Sequence, residues 1–209
     1  MRIAPVAALL AAAALCGALP DKAGAQARCT YAACPREAVL TPAEAARVEA
    51  AVVRIADEVL AVAGRRRAIA FEPKGWVANA RAYLRDGAPE IGYNPLWVRG
   101  LLDDPDGGAW RLRAVLAHEV GHHALDHPLG SADPHRRELE ADAFAGFALR
   151  RLGATRDEAE ALWHDLPVRA TPTHPPRALR LAAVSGGWTT ADGGGALAVA
   201  VAVAARLAP

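Results

Sequence analysis

The 209-residue sequence has little of several features that would point to particular classes of function. Its formal net charge is only +1, so no strong electrostatic field favours nucleic acid as a partner. After the N-terminal segment, no apolar run is long enough to cross a membrane as a helix. No internal repeat is evident, and the chain is too short for two large domains. We therefore expect one domain with a single buried core.

The first 27 residues predict a secretory signal peptide. The alanine- and leucine-rich run Ile3 to Leu19 follows a positively charged start, and Ala25-Gln26-Ala27 has the small-x-small pattern of a cleavage site. The mature protein would then be periplasmic or secreted. A lipoprotein signal through Cys16 is the weaker alternative, because Leu15 stands where lipidation signals have a small residue.

The other two cysteines, Cys29 and Cys34, belong to no CxxC motif. After export they would face an oxidising compartment, which favours a small local disulfide over a metal pair. So short a loop would anchor the mature N-terminus more than it would stabilise the whole fold. The expected organisation is this Cys-containing segment over 28–40, a main domain over 41–189 and a Gly/Ala/Val-rich tail over 190–209.

The main domain predicts a mostly helical α+β fold. Thr41-Pro42-Ala43-Glu44 combines an N-cap, a proline in the first turn and a capping-box glutamate, and it opens a helix that runs to about Ala63. Three β-leaning runs, Ala68 to Glu72, Trp76 to Leu84 and Glu90 to Tyr93, predict a small antiparallel sheet. Further helices are expected over about 94–102, 109–127, 135–152, 155–166 and from 177 to Val184, with a frayed tail or accessory helix over 196–208.

His118-Glu119-Val120-Gly121-His122 is an HExxH motif within a predicted helix. Its two imidazoles lie one turn apart on one face and can reach one metal ion. Zn²⁺ suits such ligands, and Glu119 would be the general base beside the activated water. The alternative is a surface helix with two solvated histidines. Gly121 counts against it, since a glycine inside a helix usually permits something to pack closely.

A third ligand is expected from the next helix, where Glu138 and Asp142 share a face. Two histidines, a carboxylate and water form the ligand set of catalytic zinc sites. We expect Asp142 to accept the second ring N–H of a ligand histidine. Glu140 lies off that face, and we expect it to be solvated. His123 and His127 are rotated away from the ligand pair or lie beyond it, which favours polar surface positions or support of a ligand.

Three segments carry a resemblance to a known family: Leu116 to His123, Arg137 to Gly146 and Thr173 to Trp188. They contain, in turn, the HExxH motif, a Glu-x-x-Ala-Asp element, and Thr-His-Pro-Pro followed by Arg-Leu. Together they resemble the HtpX and CAAX-prenyl-protease family of zinc metallopeptidases, metallopeptidase family forty-eight, and most closely a soluble, exported bacterial branch. The resemblance extends from about Asn79 to Trp188 and implies a compact zincin-like domain.

The resemblance also implies roles for the matching residues. Glu138 would be the third ligand of one zinc ion per chain, and Asp142 would support the site. His174 and Arg180 would line the active site and stabilise an oxyanion. From the residues alone, the segment around His174 could also be simply a stiff turn, and Arg180 could pair with a surface carboxylate. Asn79-Ala80 aligns with the family's strand beside the cleft, although a plain structural strand is also consistent with it.

The expected function is a zinc-dependent metalloendopeptidase that hydrolyses peptide bonds of proteins or peptides outside the cytoplasm. The HtpX and prenyl-protease branches span the membrane several times, so their membrane-protein substrates are not expected here. Three alternatives remain: a non-catalytic zinc-binding or chaperone-like module, an interaction domain that has lost turnover, and a zinc amidase acting on cell-wall material. Glu119 speaks against a purely structural site, which needs no base beside the metal.

Overall fold

The structure is a computed structural model that describes residues 39–64, 68–129 and 133–208. This part of the chain forms seven helices and one three-stranded sheet, an α+β fold that is mostly helical. The predicted signal peptide and the cysteines at 29 and 34 lie outside the described residues. Within them, no helix has both the length and the apolar character needed to cross a membrane.

The first helix, α1 (Pro42–Ala63), begins as the sequence predicts. The Thr41 side chain accepts the backbone N–H of Glu44, and the Glu44 carboxylate accepts the backbone N–H of Thr41, which completes the capping box. The helix ends at Gly64, whose φ of 64° is the left-handed conformation that glycine adopts most easily. Its apolar face is buried in the core by Val48, Val52, Ile55 and Val59.

The sheet consists of β1 (Ala70–Pro73), β2 (Ala80–Arg85) and β3 (Ala88–Tyr93), in the order β1-β3-β2. β2 and β3 form an antiparallel hairpin, whereas β1 pairs with β3 in parallel. The prediction of an antiparallel sheet is therefore wrong for β1. The connection over 74–79 carries the chain past the end of β3, so β1 and β2 lie on opposite sides of it. β2 is consequently an edge strand.

The other six helices are α2 (Pro95–Leu102), α3 (Gly108–Ala124), α4 (Pro134–Arg151), α5 (Arg156–His164), α6 (Arg177–Asp192) and α7 (Leu197–Ala205). Among them, α3 and α4 form a central pair around which the others pack. α3 ends at Ala124, three residues before the end predicted at His127. α6 continues well beyond the expected Val184 and crosses residue 189. α7 packs against α4 and α6 through the buried Ala200 and Ala204, as an accessory helix.

α4 and α6 approach each other almost to backbone contact because glycines face each other across the interface. A Cβ at Gly146 of α4 would collide with the carbonyl oxygen of Val184, and a Cβ at Gly187 of α6 would collide with that of Ala143. This close approach brings the side chains of the two helices within direct reach of each other. Asp142 and Arg180 are a buried polar pair that the approach joins.

Candidate metal centre

The HExxH histidines point from α3 into the interior of the protein. Val120, next to them on the helix, is fully buried, and His118 and His122 are each only 8% exposed. Their Nε2 atoms lie 3.2 Å apart, with the rings edge to face. Gly121 faces α4, where a Cβ would lie 3.1 Å from the Phe144 ring. The glycine thus lets α4 pack closely against the histidine face.

Glu138 of α4 completes a group of three ligand atoms. Its Oε2 lies 3.3 Å from His118 Nε2, and its Oε1 lies 3.4 Å from His122 Nε2. The three ligand atoms lie within 4.8 Å of one another, and this group could hold a metal ion. Glu138 Oε2 is buried, and no hydrogen-bond donor among the described residues is aligned with it. Burial alone would raise the pKa of Glu138, but contacts with the two histidines hold it well below its usual value.

Asp142 lies behind His118 and is fully buried. Its Oδ1 is 2.9 Å from His118 Nδ1, close enough for charge attraction although the ring N–H is not aligned as a hydrogen bond. Arg180 donates from Nε to Oδ2 at 2.7 Å and from Nη2 to Oδ1 at 2.8 Å, and Trp163 Nε1 donates to Oδ1 at 2.9 Å. Burial opposes ionisation, but the Arg180 charge lowers the pKa of Asp142 below its usual value.

The charge on Asp142 acts in turn on His118. Burial alone would lower the pKa of this imidazole, but the carboxylates of Asp142 and Glu138 outweigh it and raise the pKa to about 10. An Asp142 ionised in this way attracts positive charge at the His118 ring. The two carboxylates therefore make the ligand face of α3 a favourable place for a cation.

Glu119 lies between α3 and the free edge of β2. Its Oε2 accepts the backbone N–H of Ala82 at 2.6 Å. Burial raises the pKa of Glu119 above its usual value, although the neighbouring histidines and the Ala82 N–H oppose the shift. The Ala82 N–H points away from β3, as expected for every second residue of an antiparallel edge strand. The carboxylate is thus held beside the ligand group by a strand edge.

His174 faces the ligand group from the loop before α6. Its Nε2 lies 3.2 Å from Glu138 Oε2, and its Nδ1 lies 2.8 Å from Thr173 Oγ1. Thr171 closes the turn, since its N–H donates to the His174 carbonyl and its hydroxyl accepts the His174 N–H. His135 of α4 contacts the Thr171 carbonyl through Nε2 at 2.8 Å, which ties this loop to α4.

All seven residues expected at the site lie together in the structure. Arg180 is buried among them and contacts Asp142, with its Nη2 3.6 Å from Glu138 Oε2. The sequence assigns no role to Trp163. Its indole N–H donates to Asp142, and its spacing from the motif carries no signal for that contact.

His127 and Glu140 are further members of the cluster. His127 Nδ1 lies 2.9 Å from His122 Nδ1, and His127 Nε2 lies 3.0 Å from Glu140 Oε2. The sequence predicts a solvated Glu140, but in the structure its side chain is only 14% exposed and contacts His127. Burial lowers the pKa of His127 to about 3, with the two motif histidines acting in the same direction. His123 is also buried, and its Nε2 lies 3.1 Å from the Glu90 carbonyl on the far side of α3.

A cleft opens beside Glu119 and His174. Residues of α3, α5, α6 and the loop that follows α5 line it, together with Asn79 and with Ala80 at the start of β2. The apolar lining residues are Val115, Leu162, Trp163, Leu166, Pro167 and Pro175. The cleft is thus lined both by residues of the candidate metal centre and by apolar side chains.

Comparison of the chain with protein-family models, curated proteins and solved structures finds no match.

Proposed function

We propose that this chain is a zinc-dependent metalloendopeptidase. The observation that carries the proposal is the close grouping of His118, His122 and Glu138, whose ligand atoms lie within 4.8 Å of one another. A tetrahedral zinc ion with bonds of about 2.0–2.1 Å keeps its ligand atoms about 3.3–3.4 Å apart. In the structure the two Nε2 atoms lie 3.2 Å apart, and each lies 3.3 or 3.4 Å from a different oxygen of the Glu138 carboxylate. A cation would also satisfy the buried Glu138 oxygen that lacks an aligned donor.

The ligand chemistry supports zinc as the metal. Two imidazoles and one carboxylate leave a coordination position open, which is the composition of catalytic rather than structural zinc sites. Zinc held there would lower the pKa of a coordinated water so that it can attack a carbonyl near neutral pH. The motif segments that resemble metallopeptidase family forty-eight support the same assignment, and with it a zincin-like fold.

Glu119 is the proposed general base. Its Oε2 is fixed by the Ala82 N–H, which orients the carboxylate beside the ligand group. The carboxylate takes a proton from the attacking water as its oxygen bonds to the carbonyl carbon. It then delivers that proton to the leaving nitrogen as the C–N bond breaks. The pKa of Glu119, raised by burial, brings the carboxylate closer to the working pH of a base.

His174 is the proposed oxyanion donor, because its Nε2 faces the ligand group and its side chain lines the same cleft as Glu119. The resemblance implies that Arg180 stabilises an oxyanion, but its contacts with Asp142 favour a supporting role instead. Two of its nitrogens donate to Asp142, so its guanidinium holds that carboxylate ionised behind His118. Asp142 in turn orients His118 for metal binding.

The free edge of β2 supports an extended peptide as the substrate. Peptides add to strand edges through backbone hydrogen bonds, and this edge runs beside Glu119. Glu119 already accepts the Ala82 N–H, so a peptide would bond to the outward backbone carbonyls of the strand. The apolar residues that line the cleft would hold one apolar side chain of that peptide. A strand edge of this kind favours an extended peptide backbone over an amide that joins a peptide to a sugar. With the signal-like residues 1–27, we propose that the substrates are proteins or peptides outside the cytoplasm.

The test compares the purified protein with Glu119→Gln in zinc content and in cleavage of an unfolded protein. We expect about one zinc per chain in both, and cleavage by the parent alone. Glu49→Gln, an exposed glutamate of α1, is the matched control and should cleave like the parent. A parent that binds no zinc would contradict the proposal. Zinc bound by both proteins without cleavage of any unfolded or peptide substrate would favour a binding role.

A further inference from the structure

His127 lies on the side of His122 that faces away from the ligand group. His122 Nε2 faces His118 and Glu138, whereas its Nδ1 lies 2.9 Å from His127 Nδ1. The other ring nitrogen of His127 lies 3.0 Å from Glu140 Oε2. The side chains of Glu140, His127 and His122 therefore form a continuous line of polar contacts that ends on the back of a candidate metal ligand.

The fold builds this line from two separate elements. α3 ends at Ala124, and Asp126, with a φ of 54°, turns the chain back on itself. The backbone N–H of His127 donates to the His122 carbonyl at 3.0 Å, which fixes His127 under the last turn of the helix. Glu140 comes from α4, two residues after Glu138. The His127 side chain is only 5% exposed, so water is largely excluded from the contact.

The direction of the hydrogen bonds follows from the chemistry of imidazole. A neutral histidine that binds a metal through Nε2 carries its proton on Nδ1. His122 Nδ1 then donates to His127 Nδ1, which must be the unprotonated nitrogen of that ring. His127 carries its own proton on Nε2 and donates it to the Glu140 carboxylate, which is an acceptor. Every donor in the line has an acceptor in this arrangement.

We propose that His127 and Glu140 position His122 for zinc binding, as Asp142 positions His118. This inference rests on the proposed zinc site and extends it to both histidine ligands. His127 is a positioning residue and not a ligand, because its ring nitrogens contact His122 Nδ1 and Glu140 rather than the ligand atoms. Groups that hold a metal-binding histidine in this way fix its tautomer and ring orientation and increase its basicity.

The first test measures zinc affinity by competition with a chelator. His127→Leu removes both contacts, and we expect its zinc affinity to fall about 10- to 100-fold. His127→Asn keeps an acceptor near the position of Nδ1 and should recover most of the loss. His123→Asn is the matched control, because His123 is the adjacent buried histidine but contacts the Glu90 carbonyl. It should unfold more easily while its zinc affinity stays within about twofold of the parent.

A double-mutant cycle tests whether Glu140 acts on His122 through His127 or only as a nearby charge. Glu140→Gln should weaken zinc binding on its own, up to about tenfold. In the His127→Leu background it should have no further effect, because Glu140 acts through His127. Additive losses of zinc affinity would overturn the proposal that Glu140 acts through His127. Should His127→Leu fail to fold, Glu140→Gln alone decides, since unchanged zinc affinity in that folded variant overturns the proposal.

The outcomes also distinguish this inference from the proposed function. A parent that binds no zinc overturns both. A parent that binds zinc and cleaves protein, together with a folded His127→Leu variant of parental zinc affinity, overturns the positioning role and leaves the peptidase intact.

Discussion

The backbone N–H of Ala82 donates to Glu119 Oε2 at 2.6 Å and joins the edge strand to the motif helix. The two residues are 37 positions apart in the sequence. This hydrogen bond fixes the Glu119 carboxylate against the sheet. The orientation of the proposed base is therefore a property of the sheet as much as of the HExxH motif.

Ala82→Pro tests this contact, because proline removes the donor. An edge strand tolerates proline where the N–H points away from the neighbouring strand, so the fold should persist. We expect cleavage to fall about tenfold to a hundredfold, the worth of a hydrogen bond to a charged group, with zinc content unchanged. Leu84→Pro is the control, since its N–H has the same outward direction farther along the edge. Equal activity of the two proline variants would contradict the role of the Ala82 N–H.

The buried pair of Arg180 and Asp142 predicts a large effect on stability. Arg180→Met leaves the fully buried Asp142 without its cation, which should lower the free energy of unfolding by about 3–5 kcal/mol. Arg150→Met removes an arginine from an exposed pair with Asp192 at 2.7 Å and should cost about 1 kcal/mol or less. Urea unfolding of both variants measures the difference. Similar losses would show that burial of Asp142 does not make its pairing essential.

Asp142→Asn tests the support of His118 itself. The amide keeps the shape of the side chain but loses the charge that attracts the imidazole. We expect zinc affinity to fall about 10- to 100-fold, measured by chelator competition at pH 7. If zinc affinity and activity were both unchanged, Asp142 would have no part in positioning the ligand.

His174→Ala tests the proposed oxyanion donor. Loss of such a donor lowers kcat by about 100- to 1,000-fold, whereas KM and zinc content should change little. His164→Ala, a histidine whose side chain is 59% exposed at the end of α5, is the control and should have parental kinetics. Full turnover by a zinc-loaded His174→Ala variant would remove this residue from the mechanism.

Gly186 and Gly187 are neighbours in α6, and we expect their substitution by alanine to change the free energy of unfolding in opposite directions. A Cβ at Gly187 would collide with the Ala143 carbonyl, whereas a Cβ at Gly186 meets nothing within 4 Å. Gly187→Ala should lower the free energy of unfolding by about 1–3 kcal/mol or more through overpacking. Gly186→Ala should raise it by up to about 1 kcal/mol through helix propensity. Denaturant unfolding that ranks them the other way would contradict the close packing of α4 and α6.

Much of the local structure could be predicted from the sequence. The capping box at Thr41 marks a helix start that the structure confirms, and the helix expected over 155–166 begins after an N-cap at Thr155. The spacing of His118 and His122 places both on one face, because an α-helix has a fixed period set by its own backbone hydrogen bonds. The shared face of Glu138 and Asp142 follows from the same period. Each of these features depends only on residues a few positions apart.

Only the tertiary structure decided which distant groups meet. Side chains alternate in the same way in parallel and antiparallel strands, so the sequence could not reveal that β1 pairs with β3 in parallel. It also could not place the Ala82 N–H on Glu119, or Arg180 on Asp142. His127 reaches the back of His122 because α3 ends early and the chain reverses at Asp126. Such contacts depend on how whole elements pack, whereas the helices and the spacing of the two motif histidines are set by the chain's local geometry.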